Sequence, residues 1–222
     1  MSQFFRYTFG PFLLICVAIG LSGCGGQGNE RLQEKAKLES EQEQEAINEN
    51  LRQKAVAMET DLEIRRRFLN SVSGVFEGTF EGLSGSVFSI RATFTPSLPA
   101  FPSSQRPRTI EELSFELSNL HLNAHITTWK DGFAAGCVFQ NVRPDISEGK
   151  IHLVSENCVK TYTLHLASDL SERSSEAQTF ESKELAKQIT NGSLTHSPAL
   201  MGLGQSNFSA ELFPVRLGRK VE

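Results

Sequence analysis

From Asn29 to Ser73 the chain contains neither glycine nor proline, and Glu, Gln, Lys, Ala and Leu, all good helix formers, fill most of the positions. Asn29 is placed to cap the start of a helix. Asp61/Arg65 and Glu63/Arg67 are i,i+4 pairs in the favourable order. Arg65, Arg66 and Arg67 set cations near the C-terminal end, where the helix dipole favours them. The pattern predicts a helix over 29–71. Its two halves differ. Between residues 30 and 46 only Leu32 and Leu38 are large and apolar, which suits a solvated stalk. Further on, Ile47, Leu51, Ala55, Met58, Leu62 and Leu69 form a stripe that must bury itself. Two surfaces can cover it: the chain's own domain, or a second copy in a short coiled coil that would make the stalk an oligomerisation element. Few residues on this seam are large, which favours the domain.

At Val72 the period changes from helical to alternating. Phe76, Gly78 and Phe80 alternate with Val75, Glu77, Thr79 and Glu81; Phe88, Ile90, Ala92 and Phe94 alternate with Ser89, Arg91, Thr93 and Thr95. With Gly82-Leu83-Ser84-Gly85 between them, these runs predict a β-hairpin with one buried face. Pro96, Pro99, Pro102 and Pro107 then mark an extended, exposed loop. Further strands are expected near Leu113–Leu117, Leu120–Thr128, Phe133–Val142, Lys150–Val154 and Cys158–Ala167, with turns at Asp131-Gly132 and Glu148-Gly149. Ser171–Ser182 reads as a polar loop and Glu184–Ile189 as a short helix stopped by Gly192. Gly202-Leu203-Gly204 reads as a turn. A last strand is expected near Phe208–Phe213, ended by Pro214. The fold class is mainly β: an antiparallel barrel or sandwich over residues 72–222, preceded by a long N-terminal helix.

The first residues are of another kind. Arg6 is the one charged residue before Cys24, and Phe9–Leu21 is apolar apart from Gly10, Pro11 and Gly20. Such a run matches a signal h-region and is shorter than the roughly 20 residues of a spanning helix. It leads into Leu21-Ser22-Gly23-Cys24, which resembles the lipobox of bacterial lipoproteins: Leu at −3, small residues at −2 and −1, Cys at +1. The resemblance covers only residues 1–24. It implies a signal peptide over 1–23, a diacylglycerol thioether on Cys24, cleavage before Cys24, and attachment to the membrane of a bacterial cell envelope through that lipid. Gly25, where a residue other than Asp goes with export to the outer membrane in that family, implies an outer-membrane location. Gly25-Gly26-Gln27-Gly28 then makes residues 24–28 a flexible spacer before the stalk.

Cysteine usage agrees with an exported chain. Of four cysteines, Cys16 leaves with the signal and Cys24 would carry the lipid; Cys137 and Cys158 remain as an even pair, expected to form a disulfide. Neither belongs to a CxxC, so zinc or redox chemistry has no local support. Net charge is −4 and no basic run exceeds Arg65-Arg66-Arg67, which argues against nucleic acid as a partner. Sixteen phenylalanines against two tyrosines and one tryptophan point to a Phe-built core rather than a sugar-stacking surface.

Candidate chemistry is sparse. His121 and His125 lie roughly 13 Å apart if both sit on one strand, too far to share a metal. His152 and His165 fall on neighbouring strands, with no acid or cysteine at a telling spacing. His196 lies in a Ser/Thr-rich loop. No GxSxG, HExxH, P-loop or GxGxxG pattern is present. Trp129, beside the Asp131-Gly132 turn, suits a core plug or the mouth of a ligand cavity. No catalytic residue, metal ligand or cofactor is assigned. The expected function is that of a membrane-anchored envelope module without catalysis, binding or scaffolding another envelope protein. The alternative is a small β-barrel that binds an apolar ligand in a Phe-lined interior; a hydrolytic enzyme comes third.

Overall fold

The computed structural model describes residues 26–81, 86–99, 107–206 and 212–220. The signal segment and Cys24 lie outside them. The chain divides into two compact units, 1–49 and 50–222. In the first, every described side chain from Arg31 to Glu49 is exposed, as its polar pattern requires. Helix α1 is Gly26–Ser71. It thus starts three residues before the expected Asn29 cap, and Gly26–Gly28, read as spacer, are helical.

The second unit holds eight strands, β1 (Gly74–Glu81), β2 (Val87–Ser97), β3 (His121–Lys130), β4 (Phe133–Val142), β5 (Lys150–Leu153), β6 (Lys160–Ala167), β7 (Ala199–Ser206) and β8 (Leu212–Arg219). They form one antiparallel sheet in the order β4-β3-β2-β1-β8-β7-β6-β5. Neighbours in sequence are neighbours in space, and β1 pairs with β8 from Phe76↔Arg219 to Phe80↔Val215. The result is a nearly closed, barrel-like sheet, interrupted only between β4 and β5. Helix α2 (Ile110–Asn119) joins β2 to β3, and α3 (Ser175–Asn191) joins β6 to β7. An up-and-down path therefore puts α2, α3 and the α1–β1 junction at one end of the barrel. The β1–β2, β3–β4, β5–β6 and β7–β8 connections lie at the other, the hairpin end.

Alternation builds the interior. Phe76, Ile90, Phe94, Leu122, Ile126, Phe139, Ile151, Leu153 and Leu164 are all under 3% exposed. Phe76 and Phe94 meet edge to face at 5.6 Å. From the helix end, Leu62, Phe68, Leu69 and Val72 of the α1 region join the same core. Each such burial stabilises by roughly 1.5–3 kcal/mol. The stripe on α1 thus divides: Ala55, Met58, Leu62 and Leu69 pack on the chain's own domain, while Ile47 and Leu51 stay about half exposed.

Polar groups lock the helix end. Buried Glu116 of α2 accepts from Arg66 Nη2 of α1 at 2.8 Å and Arg108 Nη1 at 3.0 Å, so two guanidinium groups offset its lost hydration. Arg219 donates to the carbonyls of Ser71 and Ser73, satisfying the C-terminus of α1. Ser182 of α3, fully buried, shares its one hydroxyl proton between the carbonyls of Glu148 and Gly149, each 2.8 Å away, and accepts from Leu166 N at 3.2 Å. Gly149 has φ +62°, and a Cβ there would stand 2.4 Å from Ser182 O, so only glycine fits this contact.

Several local expectations are corrected. Leu113–Leu117 is part of α2, not a strand: Leu113 and Glu116 are buried while Phe115 is exposed, a helical period. Most of the polar Ser171–Ser182 segment is the first half of α3, capped by the Ser174 side chain. Gly202-Leu203-Gly204 lies inside β7, paired on both sides. The last strand does not end at Pro214 but runs to Arg219; Pro214 sits one residue beyond the β1–β8 ladder, where its missing N–H removes no bond to β1. Pro96 belongs to β2, opposite Leu122, rather than to the proline loop.

Candidate functional site at the hairpin end

The even-numbered positions of β6 face inward: Tyr162, Leu164 and Leu166 are buried in the core, and Lys160 is the next in that series. On β3 the inward series is Leu122, Ala124, Ile126 and Thr128, and Lys130 follows. Two lysines therefore end two inward-facing rows at the hairpin end. Both are half-buried.

Between them lies a group of phenylalanine rings. Phe80 and Phe88 stack in parallel with centroids 4.6 Å apart and planes 4° apart. Phe213 tilts against Phe80 at 5.0 Å, and Tyr162 meets Phe213 edge to face at 6.2 Å. Phe139 continues the series below Tyr162 at 5.9 Å. Gly204, opposite both Tyr162 and Phe213, leaves the room that the Phe213 ring occupies: a Cβ there would fall 2.0 Å from it. Lys160 Nζ stands 4.4 Å from the Phe80 centroid, 5.3 Å from Phe213 and 5.8 Å from Phe88. Lys130 Nζ stands 5.1 Å from Phe88. Each such contact is worth about 0.5–2 kcal/mol, more as water is excluded. Among the described residues no carboxylate pairs with either ammonium. Burial pushes the Lys160 amine below the ordinary lysine range and the Tyr162 phenol up to about 12.

Phe133 shares the inward register of Lys130 and is 84% exposed. The turn beside it, Asp131-Gly132, has φ of +50° and +84°, the pair of left-handed residues that a two-residue hairpin requires.

Cys137 and Cys158 come together at disulfide distance, Cα–Cα 5.6 Å. Cys137 is on β4 and Cys158 precedes β6, so the pair joins the two sides of the gap left by the missing β4–β5 ladder. Above it an open cleft of about 520 Å³ runs along Gly136, Val138, Gln140 and Val154–Asn157.

The histidines do not converge. His121 and His125 lie on outward positions of β3. His152 pairs with Thr163 and His165 with Lys150, two rows apart on the outer face of the β5–β6 hairpin. His152 Nδ1 is 2.9 Å from Thr163 Oγ1. Burial, aided by the Lys150 charge, holds His165 below the usual imidazole range, while Glu148 pulls the other way. Among the described residues no three His, Cys, Asp or Glu side chains are placed to hold a metal ion, and no helix is long and apolar enough to cross a membrane. Trp129 faces outward on β3, about one third exposed, so it neither plugs the core nor lines the mouth. Sequence reasoning passed over the two lysines. The signal was present, since Lys160 shares the parity of Cys158, Tyr162, Leu164 and Leu166.

Comparison with protein-family models, with curated proteins and with solved structures gives no match.

Proposed function

We propose that this chain is a lipid-anchored module of the bacterial cell envelope, held at the outer membrane through Cys24, that acts by binding rather than catalysis. The observation that supports this reading is the single core in which side chains from the strands and from the α1 region pack together, a scaffold on which the strand ends present surfaces. Its most distinctive surface is the hairpin end, opposite the end at which α1 enters the domain. There Phe133 and the lysine-capped phenylalanine rings gather apolar and cationic groups. On this reading the Cys137–Cys158 pair is a disulfide formed after export. It holds the gap in the barrel shut where no ladder does.

A photo-cross-linking residue at position 133, compared with one at the exposed position 180 on α3, tests the binding face in intact envelopes. A discrete adduct from 133 and none from 180 is the expected result. Equal adducts from both positions, or none from 133, would remove the hairpin end as the binding face.

A second reading, a barrel that takes an apolar ligand, draws on the same rings.

A further inference from the structure

We infer that the Cys137–Cys158 bridge is a redox latch: a dithiol opens it within the folded domain and so releases the first half of β4, Phe133 to Val138, from the barrel wall. The inference rests on the reading of this pair as a disulfide formed after export, and adds that the bond is reversible in the native protein.

Three observations carry it. First, the bridge holds where little else does. β4 is laddered to β3 on one side, and among the described residues no ladder joins it to β5. The isolated Asp145↔Lys150 pairing ties the two segments only past the end of β4, at Val142. Second, no side chain of β4 from Phe133 to Val138 is buried; Phe139 and Val142 are the strand's buried residues. A segment with so little buried apolar surface is among the first to open locally. Third, the bond can be reached. Cys137 is half-buried, and the pair lines the open cleft of about 520 Å³. Cys158 is only 4% exposed, so the attack falls on Cys137. A thiolate of the dithiol bonds to Cys137 Sγ, the S–S bond breaks, and its electron pair leaves on Cys158 Sγ. The second thiolate then attacks this mixed disulfide, closes the dithiol's own disulfide and releases Cys137. Two electrons pass from the dithiol to the bridge, and its two protons end on the two cysteine thiols. What the latch restrains is a strand without a charge or a proline, an edge of the kind that folded proteins keep covered. A merely structural bridge predicts instead that reduction waits for unfolding.

The test takes the full chain carrying Cys24→Ser, so that no lipid is attached, with dithiothreitol as the dithiol in native buffer. Non-reducing mass mapping first establishes the bridge; free thiols at both 137 and 158 would remove the disulfide reading and the latch with it. Dithiothreitol is expected to reduce the bridge at a rate proportional to its concentration and unchanged by low urea. Hydrogen exchange at short times should then quicken roughly tenfold or more at the β4 amides of the reduced chain, while those of β1, β2 and β8 keep their protection. The double variant Cys137→Ala/Cys158→Ala should show the same pattern without reductant. A bridge that yields only in denaturant would overturn the latch. So would equal protection of β4 with and without the bridge, or loss of protection in all strands together. In those three cases the disulfide stands and only its reversibility in the folded domain falls.

Discussion

Substituting Leu62 by Ala separates the two ways in which the apolar stripe of α1 can be buried. Leu62 is 1% exposed and belongs to the main core, among side chains from the strands and from Phe68, Leu69 and Val72. Removing its three terminal carbons leaves a cavity that a crowded interior refills only in part. Leucine-to-alanine changes at such sites cost about 2–5 kcal/mol. Taking about 3 kcal/mol, and 2–4 °C per kcal/mol for a domain of this size, the midpoint should fall by roughly 6–12 °C. Leu51, one heptad and a turn earlier on the same stripe, is 47% exposed, and Leu51→Ala should stay within about 0.5 kcal/mol. The assay is thermal unfolding of both variants by circular dichroism at several protein concentrations. The Leu62→Ala shift should not depend on concentration, because the buried surface lies within one chain. Equal shifts for the two variants, or a midpoint that rises with concentration and falls most for Leu51→Ala, would show that the stripe packs on a second copy.

The sulfur pair and the outer-face histidine supply two further expectations. Reduction, or Cys158→Ala, should expose the domain to protease at much lower denaturant, since a crosslink spanning 21 residues restricts the unfolded chain by roughly 3 kcal/mol; unchanged cleavage would mean the gap between β4 and β5 needs no staple. The depressed His165 makes the folded chain bind fewer protons than the unfolded chain once pH drops below about 6.5. Stability present above that pH should therefore be lost on acidification, before the carboxylates titrate. His165→Asn should flatten urea midpoints between pH 7.5 and 5, and an identical slope in the variant would refute the assignment.

The strands β1, β2, β3, β5 and β6 were legible because one face of each is buried and the other wetter; β4, legible from its apolar run between turns, buries only Phe139 and Val142. The helix 29–71 was legible from composition alone. What failed did so for physical reasons that can be named. In α2, Leu113, Phe115 and Leu117 mimic a strand, yet the residues that are buried are Leu113 and Glu116, the latter paired with Arg66 and Arg108 from outside the helix. The Thr109–Glu112 capping box was the available signal, and it overrides the apparent alternation. In α3 the polar first turns carry little apolar signal beyond Phe180, and the key inward residue, Ser182, is polar. In β7 the two glycines look like turn residues; their reason is crowding, by Thr163 O at Gly202 and by the Phe213 ring at Gly204, which no local pattern reveals. Phe68 and Val72 lie off the stripe and widen the buried face of α1 at its end, while Glu63, Arg67 and Asn70 on the other side stay exposed. The lysine-capped ring cluster depends on four hairpins meeting, so its parity was readable and its convergence was not.

The claim on which location and tether both rest is acylation of Cys24, and metabolic labelling of producing cells with an alkynyl fatty acid tests it most directly. The account predicts label on the wild-type chain in the membrane fraction and none on Cys24→Ser, because no other group at that position forms the thioether. Equal label on both chains would contradict it.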